Sequence, residues 1–360
     1  MVNFKQKEEL VMADNKPDNH LSTQELINGV LQFIDRERER EIISRRFGLF
    51  DRKETLEQIG ELLGITRERV RQLEKSVLQK LKSAGEKHEL TGIDEFQSVV
   101  LKELGIVGQV VRISDLASRM VAEPSKLEQS RITFLASLCP NLVVIQDDDN
   151  FYACVSNKQL YSEKQLRDTI TKVADSVAKL GEPRPIAEVA KQADIDDTRR
   201  VEALANTSKR LTSLNSQWGL IKWPLVNPKN IRDKIYVILK EKGRHMHFNE
   251  IAEAIKSSDF KRKNVTTQAI HNELIKDKRF VLIGRGIYAL KEWGYEKGTV
   301  ADIISEVLRK ANQPLHRDEI VKQVLKSRFV KETTILLNLQ GKPQFKRVAK
   351  ATYELSEPEA

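Results

Sequence analysis

Four times along this chain of 360 residues an apolar hairpin closes a segment of roughly 65 residues. The closings are Leu142-Val143-Val144-Ile145 through Phe151-Tyr152-Ala153, Trp218-Gly219-Leu220-Ile221-Lys222-Trp223, Phe280-Val281-Leu282-Ile283-Gly284-Arg285-Gly286-Ile287-Tyr288-Ala289-Leu290, and Phe345-Lys346-Arg347-Val348 through Thr352-Tyr353-Glu354-Leu355. Asp, Asn or Gly at the turn, flanked by β-branched and aromatic residues, marks each as a hairpin, the second least completely. Helical signals precede every closing, among them Ile113-Ser114-Asp115-Leu116-Ala117, Ile186-Ala187-Glu188-Val189-Ala190, Phe248-Asn249-Glu250-Ile251-Ala252 and His316-Arg317-Asp318-Glu319-Ile320. The expected unit is therefore helix, helix, helix, hairpin, and the expected fold class is mainly α with small β-hairpins.

Glycine and proline mark joints at Thr91-Gly92, at Pro224 and Pro228, and at Glu296-Lys297-Gly298. Joints this short predict a chain of beads rather than one packed body. Residues 1–21 and the tail Ser356-Glu357-Pro358-Glu359-Ala360 read as disordered.

Ahead of the repeats, residues 22–88 carry a different pattern. Asp35 is placed to cap a helix through Ile42, Ile43 and Phe47, which Gly48 stops. In Thr55-Leu56-Glu57-Gln58 the threonine and glutamine make a capping box, and Leu56, Ile59, Leu62 and Leu63 form one apolar stripe. Gly64 allows a sharp turn, Thr66 caps again, and a second helix places Val70, Leu73, Val77 and Leu81 on its inner face. That is a helix-turn-helix. A rotation of 100° per residue puts Glu68, Arg71, Gln72 and Lys75 opposite the apolar stripe, with Arg67 and Arg69 flanking them. Such a face is either a solvated surface laced by i,i+4 ion pairs or a surface that enters a major groove. Arg forks onto guanine, Gln pairs with adenine, and Glu accepts from the amine of cytosine, so the residue types suit reading.

Residues 22–84, above all Arg36-Glu37-Arg38-Glu39, Arg45-Arg46-Phe47-Gly48-Leu49, Thr55-Leu56-Glu57-Gln58-Ile59-Gly60 and Thr66-Arg67-Glu68-Arg69-Val70-Arg71-Gln72, resemble region four of the bacterial primary sigma factors. The resemblance implies recognition of a minus-thirty-five promoter element and docking on the flap of the RNA polymerase beta subunit. Carried over by position, it gives base-reading roles to Arg67, Glu68, Arg71 and Gln72 and a phosphate contact to Arg69; Lys75, on the same face, is assigned to phosphate. Nothing in the sequence reads as the region-two module that melts a promoter, so promoter opening by this chain alone is not expected.

The order of the later units is that of a winged helix: residues 93–157, a degenerate unit at 163–225, and units at 229–294 and 299–356. The third, with Asn272-Glu273-Leu274, Phe280, Gly284-Arg285-Gly286, Tyr288 and Trp293-Gly294, resembles the HARE-type winged helix, a family that includes the delta subunit of some bacterial RNA polymerases. The fourth is a degenerate copy.

Charge sharpens this picture. The chain carries 61 Lys+Arg against 52 Asp+Glu, a net +9, but residues 229–350 hold 27 basic and 14 acidic residues, a net +13. The C-terminal third therefore carries the positive field. Lys261, Arg262, Lys263 and Arg285 are the candidate phosphate contacts there, with Lys276, Lys278 and Arg279 around the same hairpin.

Other chemistries find little support. Asp147-Asp148-Asp149 falls at a hairpin turn and reads as a polar turn, not a magnesium site. His245 and His247 lack further zinc ligands, and Met246 and Phe248 are expected inward with the histidines outside. Cys139 and Cys154 read as small buried hydrophobes. No phosphate loop, nucleophile elbow or dinucleotide fingerprint is present, so neither catalysis nor a cofactor is expected. No apolar run reaches membrane-spanning length and no signal peptide is read, which predicts a cytoplasmic, nucleoid-associated protein. The expected function is a sigma-like DNA-binding protein acting in transcription initiation or its regulation, with promoter DNA and RNA polymerase as partners. Two alternatives are a polymerase-binding scaffold without sequence reading and a DNA-binding component of a restriction or defence system.

Overall fold

The computed structural model describes residues 22–260, 264–295 and 297–356. The segments expected to be disordered, 1–21 and the end of the tail, lie outside the described residues apart from Ser356, as does the basic triplet Lys261, Arg262 and Lys263. The chain divides into two compact bodies, one ending at Ile221 and one beginning at Lys222, close to the joint at Pro224.

In the first body, α1 (Thr23–Gln32), α2 (Glu37–Phe47), α3 (Leu56–Leu63) and α4 (Arg67–Glu86) precede two units of one design. The first unit is α5 (Ile93–Val107), β1 (Val110–Arg112), α6 (Ile113–Met120), α7 (Lys126–Leu138), β2 (Leu142–Ile145) and β3 (Cys154–Asn157). The second is α8 (Glu163–Leu180), β4 (Arg184–Pro185), α9 (Ile186–Ala193), α10 (Thr198–Thr207), β5 (Leu211–Leu214) and β6 (Gln217–Leu220). In each, a short strand after the first helix pairs antiparallel with the last strand, giving sheet orders β1-β3-β2 and β4-β6-β5. The second hairpin turns on Asn215 and Ser216, both in the left-handed region at φ 50° and 60°. Its first strand, Leu211–Leu214, lies upstream of the apolar run that marked it in the sequence.

The second body repeats the plan twice. One copy is α11 (Ile231–Lys242), β7 (Met246–His247), α12 (Phe248–Ser257), α13 (Thr267–Lys276), β8 (Phe280–Gly284) and β9 (Ile287–Leu290). The other is α14 (Val300–Ala311), β10 (Leu315–His316), α15 (Arg317–Ser327), α16 (Glu332–Gly341), β11 (Phe345–Ala349) and β12 (Thr352–Leu355). The two copies meet: Phe329 N–H donates to the Ile283 carbonyl at 3.2 Å, and Arg328 donates to the Leu282 carbonyl.

The hairpin of three units is fastened to the start of the helix that follows the first strand. Ile113 N–H donates to Ala153 O at 2.9 Å, Phe248 N–H to Gly286 O at 3.0 Å, and Arg317 N–H to Ala351 O at 2.8 Å. His247 and His316 then cap α12 and α15, each accepting through Nδ1 from the backbone two residues on. This corrects the expectation for the third unit. Met246 is buried, but His245 and His247 are half-buried rather than outside, His245 lying 4.4 Å from the Phe329 ring and His247 serving as a cap.

Packing in the first body does not respect the joint at Thr91-Gly92. One core runs from Ile27 and Ile43 through Leu49, Val77 and Leu81 to Phe96, Phe134, Leu135 and Val155. The third helix of the first unit, α7, is buried nearly all round, from Arg131 to Leu138. Phe134 meets Phe47 at 4.9 Å between centroids, and Arg131 donates to the Leu49 carbonyl at 2.9 Å and to Glu128 at 2.8 Å. Beads joined by a short linker would bury far less.

Gly85 permits the closest approach. A Cβ built there would stand 2.4 Å from the Leu138 carbonyl oxygen, whereas one built at Gly29 in α1 meets nothing within 4 Å. Gly29→Ala is expected to raise stability by about 0.5–1 kcal/mol through helix propensity. Gly85→Ala is expected to lower it by about 1–3 kcal/mol, overpacking outweighing the same gain. Urea denaturation of both full-length variants, followed by far-UV circular dichroism, checks the opposite signs.

Candidate nucleic-acid interface

The interface is assembled by α2, α3 and α4. Gly48, at φ 62° and ψ 52°, ends α2 as expected, but Asp35 is not its cap: the helix begins at Glu37 with Arg36 in the cap position and no side-chain bond there. The capping box of α3 is formed, with Thr55 Oγ1 accepting from Gln58 N–H at 3.3 Å and Gln58 Oε1 accepting from Thr55 N–H at 2.9 Å. Gly64 takes the left-handed conformation and Thr66 Oγ1 accepts from Arg69 N–H at 3.2 Å, so α4 starts two residues after α3 has turned away. Gly60 makes room for that turn, since a Cβ there would lie 2.7 Å from the Ile65 carbonyl. Ile42, Ile59 and Val70, with Leu56, Leu63, Ile65 and Leu73 against them, form a small separate core that fixes α3 against the first two turns of α4.

Arg67, Glu68, Arg69, Arg71, Gln72 and Lys75 are all exposed on α4. Several are also bonded to one another. Arg71 makes a two-point pair with Glu68, at 2.8 Å from Nε and 2.6 Å from Nη2. Gln72 donates to Glu68 Oε1 at 3.3 Å and accepts from Arg69 at 3.4 Å. Arg67 pairs with Glu57 of α3 at 2.6 Å, a partner that inspection of one helix face did not reveal because it lies across the turn. The bonds of Arg71, above all, hold the Glu68 carboxyl below its ordinary pKa, and Glu68 in turn raises the Arg71 guanidinium.

Behind this face, ion pairs brace the helices. Arg45 bridges Glu41 and Glu54 at 2.9 Å each, Arg46 reaches Glu74 at 3.4 Å, and Arg38 donates to the Leu63 carbonyl. Arg38, Arg45 and Arg46 are thus structural, while the charges on the outer face of α4 point to solvent.

Residues 36–83 match the sequence profile of sigma-70, region 4. Residues 36–83 form a sigma region 4 helix-turn-helix. Relatives agree over the same stretch. The match to RNA polymerase sigma factor sigB of Arabidopsis thaliana is 53% identical over 47 residues, 13% of this chain and 8% of that protein. That to RNA polymerase sigma factor RpoD of Helicobacter pylori is 44% identical over 69 residues, 18% and 10% of the two chains. That to RNA polymerase sigma factor SigA1 of Synechococcus elongatus is 47% identical over 57 residues, 16% and 14%. The chain therefore spans only 8–14% of the length of these relatives.

The other sequence-predicted residues fall elsewhere. Arg285 is exposed at the turn of the β8–β9 hairpin, and Lys276 and Lys278 are exposed ahead of β8, at the opposite end of that strand. Arg279 is not free for phosphate: it pairs with Asp277 at 2.7 Å and Asp233 at 3.1 Å. Asp148 pairs with Arg167 at 2.7 Å and accepts from the N–H groups of Asn150 and Phe151, and Asp147 pairs with Lys209 at 2.8 Å, so this acidic run ties the first hairpin to the second unit. Cys139 and Cys154 are buried and free, and burial pushes both thiols up to about 12. Among the described residues no helix is long and apolar enough to cross a membrane.

The Glu68–Arg71 pair has a pH signature. A carboxyl lowered in the folded state contributes stability above its unfolded pKa and loses it as pH falls through the folded value. In a carboxylate NMR titration Glu68 is expected to titrate below the ordinary glutamate value of about 4.3 and to return toward it in Arg71→Ala. An unmoved midpoint in the variant would remove the pair as the cause.

Proposed function

We propose that this protein is a sigma-factor-like DNA-binding protein that acts in transcription initiation or its regulation by reading a minus-thirty-five-like promoter element. The observation that carries the reading is the reading surface itself. A glycine turn and two capped helices present Arg67, Glu68, Arg71 and Gln72 on the outer face of α4, within a sigma region 4. That face is the first two turns of a second helix, the part that meets base edges in a helix-turn-helix. Arg71 and Gln72 supply forked donors for guanine and adenine, and Glu68 an acceptor for the cytosine amine. Arg69 and Lys75 contact phosphate at its margins. Their mutual bonds hold Glu68, Arg71 and Gln72 on one plane of the helix before DNA arrives, which supports a preformed surface.

RNA polymerase is the second partner in this reading, through the same region 4 and the flap of its beta subunit, as the sigma names of the relatives favour. The units of the second body are winged helices, the third of HARE type, and Arg285 with Lys276 and Lys278 holds adjacent phosphate. The protein works by binding rather than catalysis, needs no cofactor, and acts in the cytoplasm on the nucleoid.

Alanine substitution tests the reading head. Glu68→Ala, Arg71→Ala and Gln72→Ala are each expected to cost about 1–3 kcal/mol on the preferred sequence and much less on random DNA at the same salt concentration. Arg69→Ala is expected to weaken both DNAs about equally, as loss of a phosphate contact does. The helix should persist, because alanine is the best helix former and these side chains leave Val70, Val77 and Leu81 undisturbed. An unchanged ratio of specific to random affinity in Arg71→Ala and Gln72→Ala would reduce this face to a solvated helix.

A further inference from the structure

Several arginines of this molecule sit between or beside carboxylates. Arg45 meets Glu41 and Glu54, Arg167 meets Asp148 and Glu163, Arg210 meets Asp175, and Arg279 meets Asp233 and Asp277. Between Glu332 and Glu354 the chain contains no acidic residue, yet it contains Lys342, Lys346, Arg347 and Lys350.

The fold gathers three of these on one hairpin. β11 is an edge strand, hydrogen-bonded only to β12 in a sheet of order β10-β12-β11. Of its five residues only Phe345 is buried; Lys346, Arg347, Val348 and Ala349 are exposed, as is Lys350 at the turn. Lys346 and Arg347 lie in regular register and so flank the strand on opposite faces; the ladder slips only between Arg347 and Ala349, a bulge that turns Lys350 toward the side of Arg347. Arg347 Nε donates to the Ala349 carbonyl at 3.2 Å, keeping the guanidinium over the turn. The turn is held in place by the bond from Arg317 N–H to Ala351 O. Glu354 stands opposite Lys346 across the ladder and is the one carboxylate in register with the three cations.

We infer that the β11–β12 hairpin is a second nucleic-acid contact, in which Lys346, Arg347 and Lys350 hold the phosphate backbone of a duplex without reading its bases. An extended strand rises about 3.3 Å per residue, so the exposed stretch from Lys346 to Ala349 runs along at most roughly 10 Å of edge, with Lys350 at the turn beyond it. Duplex DNA offers one negative charge per roughly 1.7 Å of axis, so several phosphates lie within reach of a stretch this long. An anionic membrane would instead call for apolar residues that insert beside the charges, and on this strand Val348 alone is a large exposed apolar side chain. The inference does not rest on base reading by α4, because a backbone contact adds affinity equally on every sequence.

The test uses the full chain and a duplex of about 30 base pairs of random sequence, with affinity measured across a salt series. Each phosphate contact contributes about 0.9 to the slope of log affinity against log salt, so a triple variant Lys346→Gln, Arg347→Gln and Lys350→Gln is expected to flatten it by about 2–3. Glu354→Gln, which removes the facing carboxylate, is expected to strengthen binding to the same duplex. Preference for the promoter sequence over random DNA should stay unchanged in both variants, separating this result from failure of the α4 reading head. Circular dichroism confirms the fold. Equal slopes for the wild type and the triple variant would overturn the inference. So would tighter binding of the wild type to phosphatidylserine vesicles than to the duplex, lost in the triple variant.

Discussion

The burial of α7 against α2 and α4 is the contact on which the first body depends. One helix, α4, serves two cores: its first two turns bury Val70 and Leu73 beneath the helix-turn-helix, and its later turns bury Val77, Leu81 and Ala84 against α7. A continuous helix of 20 residues cannot rotate in one core without disturbing the other. The exposed face that bears Arg71 and Gln72 is therefore set at a fixed angle to the first unit, and the second unit is bound in through Asp147, Asp148 and the bridge from Phe151 to Ser208. The same packing takes the third helix of the first unit out of any surface role, because Arg131, Phe134 and Leu135 lie inside.

Much of this was legible in the residues, and the parts that were not share a cause. Gly48, Gly64, Thr55 with Gln58, and Thr66 act through bonds within three or four residues, so the pattern alone predicted their conformations and the structure has them. The third and fourth hairpins were equally plain, since glycine or small residues sit between β-branched and aromatic ones. The second hairpin begins ahead of its apolar run because Leu211-Thr212-Ser213-Leu214 is weakly apolar and the turn falls at Asn215-Ser216. The Glu57–Arg67 pair, the bond from Arg38 to Leu63, and the docking of α7 join residues distant in sequence, where no local pattern points. Asp35 was the plausible cap on residue type, but the helix begins one residue beyond its reach.

The charges of α4 are neither bare nor idle. Glu68 accepts from both Arg71 and Gln72, so the carboxylate screens the arginine from other anions while leaving it on the surface. A base or phosphate that takes Arg71 must match what Glu68 gives, which makes the face selective toward partners that satisfy all three side chains together. The basic hairpin of the last unit has no such internal competitor beyond Glu354. In the proposed reading, the first surface discriminates between sequences and the second adheres to any of them.

The fastening of each hairpin to the helix start has a bearing on how the chain is made. The bonds from Ile113 to Ala153, Phe248 to Gly286 and Arg317 to Ala351 close loops of roughly 35–40 residues, short spans whose closure entropy is modest. A unit of this kind can complete itself soon after its last strand leaves the ribosome, before the next has been synthesised. The region 4 segment is the exception. Leu49 and Phe47 find their partners Arg131 and Phe134 some 80–90 residues later, so its larger core stays open to solvent until α7 emerges. The stretch of synthesis between those points is when this protein is most exposed to aggregation and to chaperones.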